Sequence, residues 1–201
     1  IGNNSGVNWV HAHPMFRASP LIYSGILGMV EIIDDKSNHI DNLFKYKDNS
    51  IMLAYQDLDL NSDGTINRIN LNSDAWRSCF GMINGQSCIN WYSDDSNPYV
   101  NVLYHVTTHN VMKISLLNGT DSFRNMYIGV CDKYNNIKKF YNVLADDGYR
   151  NPQHIDILCI SPANRVSIMI DLFEFEDNKA YIFLYNFDLT QVLNVSSNEE
   201  N

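Results

Sequence analysis

Two histidines lie two residues apart near the start of the chain, in the segment Trp9-Val10-His11-Ala12-His13-Pro14-Met15. Residues i and i+2 of a β-strand face the same side, so the two imidazoles are predicted to point together, roughly 7 Å apart along the strand. That separation suits two neighbouring metal ions better than a tight chelate around one ion. On the pair alone, a surface strand without metal is the favoured interpretation, and metal binding is the alternative.

A second candidate site lies in the segment Asp59-x-Asn61-x-Asp63-Gly64-x-Ile66, which matches the first eight positions of a calcium loop. The twelfth position should carry an acidic side chain, but here it is Asn70. Asp-Gly between alternating apolar residues is also the strongest short-range hairpin signal. The sequence therefore favours a plain hairpin, with strands over residues 51–57 and 65–69, and leaves a calcium-binding β-module as the less favoured alternative.

The remaining histidines and the cysteines form no ligand pattern of their own. The four cysteines lie far apart and make no CxxC, which argues against a zinc knuckle and leaves their pairing open: Cys79, Cys88, Cys131 and Cys159. Four histidines stand outside any pair: His39, His105, His109 and His154. A strand and the turn after it are predicted to carry His105 and His109, as hydrogen-bonded surface residues.

Composition limits the class of protein and of partner. The chain has 201 residues, of which 45% are hydrophobic and 18% charged, so it can bury a sizeable core. A net charge of −9 argues against nucleic acid or an anionic membrane as partner. The longest apolar run, residues 21–33, is too short to span a bilayer. Asn-x-Ser/Thr sequons at Asn3, Asn118 and Asn194 favour an extracellular, secretory or particle-associated location.

Short apolar runs rich in β-branched and aromatic residues, separated by turn residues, predict an all-β sandwich or barrel. Residues 16–24 are predicted to form a loop or short turn, and residues 25–33 a buried strand. Residues 34–50 are polar and predict a linker, and residues 82–86 predict a turn. Further strands are predicted at residues 99–104, 110–117, 127–131, 140–145, 155–160, 165–171 and 180–186. Residues 196–201 are predicted to be a frayed end.

The order of several motifs resembles that of the multicopper oxidases, in particular the laccase, bilirubin oxidase and spore-coat laccase branch. Gly6-x-x-Trp9-x-His11-x-His13, followed by Tyr23-x-Gly25-Ile26-Leu27-Gly28, resembles the family's second copper-binding motif. The likeness continues through Ser50-Ile51-Met52-Leu53-Ala54-Tyr55-Gln56-Asp57, Ile83-Asn84-Gly85 and Ile160-Ser161-Pro162-Ala163-Asn164-Arg165. These pieces are weak separately, and their order and spacing carry the match.

The resemblance implies a cupredoxin-like Greek-key β-sandwich preceded by the last strands of another cupredoxin domain. The implied divisions are residues 1–35 for the end of the first domain with the His-x-His motif, 36–50 for a linker, 51–190 for the second domain, and 191–201 for a tail or a linker to a third domain. His11 and His13 would each ligate one type-3 copper. The implied activity is one-electron oxidation of a phenolic or similar reductant, coupled to reduction of O2 to water.

The departures from the family pattern are equally informative. No His-Cys-His motif for a type-1 copper is present, since no cysteine has a histidine directly before or after it. The segment alone is therefore expected to be inactive. Other cupredoxin domains or chains would supply the missing copper ligands, and O2 and a small reductant would be the substrates. A non-catalytic cupredoxin-like structural or interaction protein is the alternative.

Overall fold

The computed structural model describes residues 6–15, 17–32, 49–58, 61–66, 80–87, 103–107, 109–120, 125–145, 148–186 and 189–197. Strands dominate these residues, as the apolar runs predict. The elements before residue 100 are β1 (Gly6–His11), α1 (Ala18–Tyr23), β2 (Leu27–Ile32), β3 (Ser50–Leu58), β4 (Phe80–Ile83) and β5 (Gln86–Ser87). The strands that follow are β6 (Leu103–Thr107), β7 (Val111–Asn118), β8 (Met126–Cys131), β9 (Ile137–Lys138), β10 (Phe140–Ala145), β11 (Gly148–Ile155), β12 (Ile157–Ile160), β13 (Arg165–Asp171), β14 (Lys179–Asn186) and β15 (Leu189–Ser197).

Two sheets form the body of the molecule. The seven-stranded sheet has the order β11-β10-β13-β7-β3-β4-β5, and the six-stranded sheet has the path β12-β8-β14-β15-β6 with β9 paired to β8. Most neighbours are antiparallel, whereas β3 pairs with β7, and β15 with β6, in parallel. The predicted all-β sandwich is therefore confirmed.

The core is made of apolar side chains from both sheets. Phe140, Ile114 and Ile168 of the first sheet and Ile128 and Ile182 of the second are each no more than 1% exposed and belong to one cluster. Fully burying such a side chain contributes about 1.5–3 kcal/mol relative to leaving it in water. This shared core holds the two sheets face to face.

A separate two-stranded antiparallel sheet, β1 with β2, carries the histidine pair. Its register places Val7 opposite Glu31 and His11 opposite Leu27. Helix α1 lies between the two strands, where residues 16–24 were predicted to be a loop or short turn. The helix has only six residues, too few for an apolar period, and Pro20 is tolerated in a first helical turn. Strand β2 is half-exposed rather than buried, with Val30 44% exposed.

Other differences from the sequence-based prediction concern the burial, the bounds and the pairing of individual strands. Strand β7 is buried on both faces, although the alternation of Lys113 and Ser115 with apolar residues predicts a half-buried strand. The strand predicted over residues 155–160 is split between the end of β11 and β12, and β11 itself was not predicted. Strand β15 pairs with both β14 and β6, although a tail or linker was predicted from residue 191. The predicted linker residues 36–48, and most of the predicted return strand 65–69, lie outside the described residues.

Two serines hydrogen-bond each other inside the seven-stranded sheet, and they provide a test of how buried polar groups contribute to stability. Ser115 Oγ and Ser167 Oγ lie 2.7 Å apart, and both residues are 0% exposed. We expect Ser115→Ala to lower the free energy of unfolding by about 1–3 kcal/mol, because it leaves one buried hydroxyl unpaired. Ser115→Ala combined with Ser167→Ala should be close to wild type in urea unfolding. A double variant as unstable as the sum of both single variants would contradict this.

Candidate metal centre

The structure brings the two paired histidines together. The ring centroids of His11 and His13 lie 5.5 Å apart, with the ring planes tilted by 46°. Strand β1 ends at His11, so His13 stands in the segment that leads to α1 rather than in the strand itself. The spacing predicted the approach of the rings, while the end of the strand explains why they are closer than along a regular strand.

Two neighbours fix the ring of His11. The Trp9 ring stacks on it, with the centroids 4.0 Å apart and an angle of 24° between the planes. Its Nδ1 lies 3.1 Å from the carbonyl oxygen of Ala12. A carbonyl only accepts, so this hydrogen bond requires the proton on Nδ1 and leaves the lone pair on Nε2. Neutral imidazole with a free Nε2 is the form that binds copper and related ions.

His13 is the solvent-exposed member of the pair, since its side chain is exposed whereas that of His11 is half-buried. The two imidazoles therefore place two nitrogen donors at adjacent points. This donor set fits two ions that share further ligands from elsewhere. It is too small to complete the coordination of even one tetrahedral ion.

The other predicted candidates do not join this pair. His105 lies in β6 and His109 just before β7, on a strand and in the bend after it, as predicted. The His154 ring stacks on Tyr141, with 4.6 Å between centroids. Among the residues that the structure describes, no three His, Cys, Asp or Glu side chains form a group that could hold a metal ion. His39 lies outside those residues.

The calcium-like loop is partly described, and its oxygen atoms have local partners. Asp63 Oδ1 accepts hydrogen bonds from the amide and hydroxyl of Thr65, at 2.9 and 2.6 Å. These bonds, with the hydroxyl contributing most, hold the pKa of Asp63 below its ordinary value. Asn61 donates its side-chain amide to the same hydroxyl. The predicted turn at Asp63-Gly64 is therefore confirmed, and Asp59 and Asn70 lie outside the described residues.

Two of the four cysteines are described, and both are free thiols. Cys131 is buried, and burial raises the pKa of its thiol, with the neighbouring Asp132 adding to the effect. Cys159 is exposed. A thiol with a raised pKa is a poor metal ligand and nucleophile at neutral pH. Cys131 therefore has a packing role.

One of the three sequons lies inside the folded molecule. Asn118 is 0% exposed, donates its side-chain amide to the carbonyl of Ile160 at 2.9 Å, and accepts from Thr120. A glycan on that amide is incompatible with these contacts. The sequence alone shows the Asn-Gly-Thr spacing but not the burial, so this sequon carries no information about location.

Comparison with known proteins supports the resemblance. No family model matches the chain. It is 27% identical over 175 residues to the cell division protein FtsP of Gallibacterium anatis, covering 85% of this chain and 33% of that protein. It is 23% identical over 201 residues to the multicopper oxidase mco of Staphylococcus epidermidis, covering 100% of this chain and 40% of that protein. The chain thus spans well under half the length of these curated relatives.

Structural comparison finds the same fold in solved structures of multicopper oxidases. The crystal structure of the multicopper oxidase McoA from Aquifex aeolicus superposes with a TM-score of 0.76 at 21% identity, covering 98% of this chain and 43% of that one. The predicted resemblance to multicopper oxidases and the predicted cupredoxin-like β-sandwich are confirmed. Among the helices that the structure describes, none has the length and hydropathy needed to cross a membrane.

Proposed function

We propose that this chain is part of a copper-dependent oxidase in which His11 and His13 each bind one copper ion of a shared centre. The observation that carries the proposal is the pair of imidazole rings, 5.5 Å apart at the end of β1. In the proposed reaction, a phenolic or similar reductant is oxidised in one-electron steps while O2 is reduced to water. The relatives named as multicopper oxidases support this class of reaction.

The residues of this chain would bind and orient the metal. Nε2 of His11 would be one ligand atom, because Nδ1 is directed to the Ala12 carbonyl. Stacking by Trp9 would keep that ring from rotating. His13 would bind the neighbouring ion from the exposed side. When bound, copper supplies one-electron redox chemistry, and its neighbouring ions would share a multi-electron reduction.

The rest of the centre would come from other cupredoxin domains or chains, and this segment alone would be inactive. A second observation agrees with a missing partner layer. The outward face of the β1–β2 sheet carries two exposed valines, Val10 at 60% and Val30 at 44% exposure. In the register, Val10 lies opposite Gly28 and Val30 opposite Asn8, so both valines are on the same face. Sheets are normally covered by a second layer on an apolar face.

The test is to purify the native protein that contains this chain, measure its intact mass, and quantify copper per molecule. We expect a protein longer than these 201 residues that holds several copper ions and consumes O2 when given a phenolic reductant. A native protein made only of these residues, free of copper and without O2 uptake, would refute the proposal.

The alternative is a non-catalytic structural or interaction protein with a cupredoxin-like fold. It is favoured by one observation, the similarity to a protein whose name assigns it to cell division. The same purification separates the two proposals, since the alternative requires a stable native protein without copper-dependent O2 uptake. For either function we propose an extracellular, secretory or particle-associated location.

A further inference from the structure

The histidine hairpin, defined here as β1, α1 and β2 (residues 6–32), lies on a buried polar face of the seven-stranded sheet. Along β7, Met112, Ile114 and Leu116 point into the core between the large sheets. Successive residues of a strand face opposite sides, so Lys113 and Ser115 lie on the outer face. Both are buried, at 2% and 0% exposure. The hairpin contacts β3, β10, β11 and β13 and so covers part of this face.

Two contacts hold the open end of the hairpin. Lys113 Nζ forms an ion pair with Glu31, and the two side chains are 3% and 13% exposed. Arg165 Nε donates to the carbonyl oxygen of Val7 at 3.2 Å. Val7 and Glu31 are directly opposite each other in the β1–β2 register. Lys113 and Arg165 therefore bind the same point of the hairpin from two different strands of the sheet.

A third contact holds the other side of the histidine pair. Gln56 Nε2, on β3, donates to the carbonyl of Ile22 and to that of Tyr23, the latter at 3.3 Å. These carbonyls belong to the last turn of α1. His11 and His13 lie in the chain between the two attachment points. The histidine segment is thus held to the sheet before and after the ring pair.

We propose that Gln56, Lys113 and Arg165 are positioning residues that fix the His11–His13 ring pair relative to the cupredoxin-like sheet. We call these three residues the polar clamp. The inference rests on the proposed function in that the ring pair is taken to bind copper. The clamp itself is defined by contacts that need no metal. His11 lies four residues from Val7, roughly 13 Å along the strand, so a shift at the clamp moves the ring directly.

The chemistry of the clamp explains why it is polar. An apolar pair of the same volume often gives equal or greater stability than a buried ion pair. A buried ion pair differs from an apolar pair in specificity, because its two charges are paired in one arrangement of the strands only. A slip of β2 by one residue would turn Glu31 to the outward face and leave Lys113 buried without that partner. The ion pair therefore selects the β1–β2 register in which Glu31 faces the seven-stranded sheet.

The test compares variants of the full-length protein by hydrogen exchange without metal and by copper titration. Lys113→Met alone should lower the Tm by about 10 °C, because Glu31 keeps a buried charge without its partner. Lys113→Met with Glu31→Leu should recover most of that Tm. The double variant should nevertheless exchange amides of residues 6–32 about tenfold faster, while residues 111–118 stay protected. Its copper affinity at the histidine pair should fall by a similar factor.

A matched control is Lys133→Met. Lys133 also pairs with two carboxylates, Glu176 and Asp177, but on the exposed surface, so exchange in residues 6–32 should not change. Gln56→Met removes the third contact without changing the charge, and it should accelerate exchange near the end of α1. If the double variant fails to fold, this single variant decides the proposal by the same exchange measurement.

The outcomes separate the clamp from the copper proposal. A well-folded double variant, or Gln56→Met, with exchange and copper affinity within twofold of wild type would overturn the clamp. Wild-type protein that binds no copper through His11 and His13 would overturn the proposed function. In that case the exchange measurements on metal-free protein still decide whether the clamp holds the hairpin.

Discussion

Replacing His11 or His13 by alanine in the full-length protein is expected to lower O2 consumption by more than about 100-fold, because loss of even an outer-shell partner of a metal ligand costs 10–100-fold. Each ring would be a direct ligand of one ion, and the two rings lie only 5.5 Å apart. Copper content should fall along with turnover, by about one ion for each histidine removed. The measurement is O2 uptake with a phenolic reductant, together with copper quantitation of the same samples.

The control for this prediction is His154→Ala. His154 is an exposed histidine in β11, and its ring stacks on Tyr141 of the neighbouring strand β10 in the seven-stranded sheet. It should leave turnover and copper content unchanged. If His11→Ala and His13→Ala behave like His154→Ala, the ring pair is not a copper site, and the pairing of the rings is a feature of packing.

A large loss of stability is expected from Phe140→Ala. Phe140 is 1% exposed at the start of β10 and belongs to the core cluster shared by both large sheets. Truncating a buried phenylalanine to alanine costs about 3–5 kcal/mol, from lost transfer free energy and from the cavity that remains. Calorimetry should show the Tm of this domain falling by about 10 °C.

Phe173→Ala is the matched control, because Phe173 is 65% exposed in the turn after β13. The free energy of unfolding should change by less than about 0.5 kcal/mol. A Phe140→Ala variant as stable as Phe173→Ala would mean that the two sheets do not share the core described above.

The local sequence was sufficient to predict those core strands that have turn-forming residues at both ends. Strands β10 and β13 have the bounds predicted for residues 140–145 and 165–171. In both cases an apolar run rich in β-branched and aromatic residues stands between polar, turn-forming residues. The periodicity and the turn chemistry agree there, so tertiary contacts had little left to decide.

Elements that depend on distant partners were missed. Strand β15 contains Thr190, Gln191 and Asn194, and it precedes a polar end, so its sequence resembles a tail. It is a strand because β14 and β6 pair with it on either side, and β6 lies more than 80 residues earlier in the chain. Helix α1 is similarly too short to be set by propensity alone.

The ring pair of the candidate site could be predicted from spacing, but its attachment to the sheet could not. Lys113 and Ser115 alternate with apolar residues along β7, which is the pattern of a strand with one face in water. The hairpin covers that face instead, and a sequence pattern does not distinguish water from a polar partner. The signal that was available is Lys113 itself, a charged side chain in the middle of a mostly apolar strand.

The contact between Arg165 and Val7 joins residues that are 158 positions apart. During biosynthesis it therefore forms only after Arg165 has been added, long after Val7. A ribosome that adds about 5–20 residues per second needs on the order of 10–30 s to reach Arg165 after Val7 has been made. Throughout that interval the imidazoles are already translated while part of their support does not yet exist. If the ring pair binds copper as proposed, metal loading is expected to follow completion of β13, and a nascent chain halted before that strand should acquire no correctly placed copper.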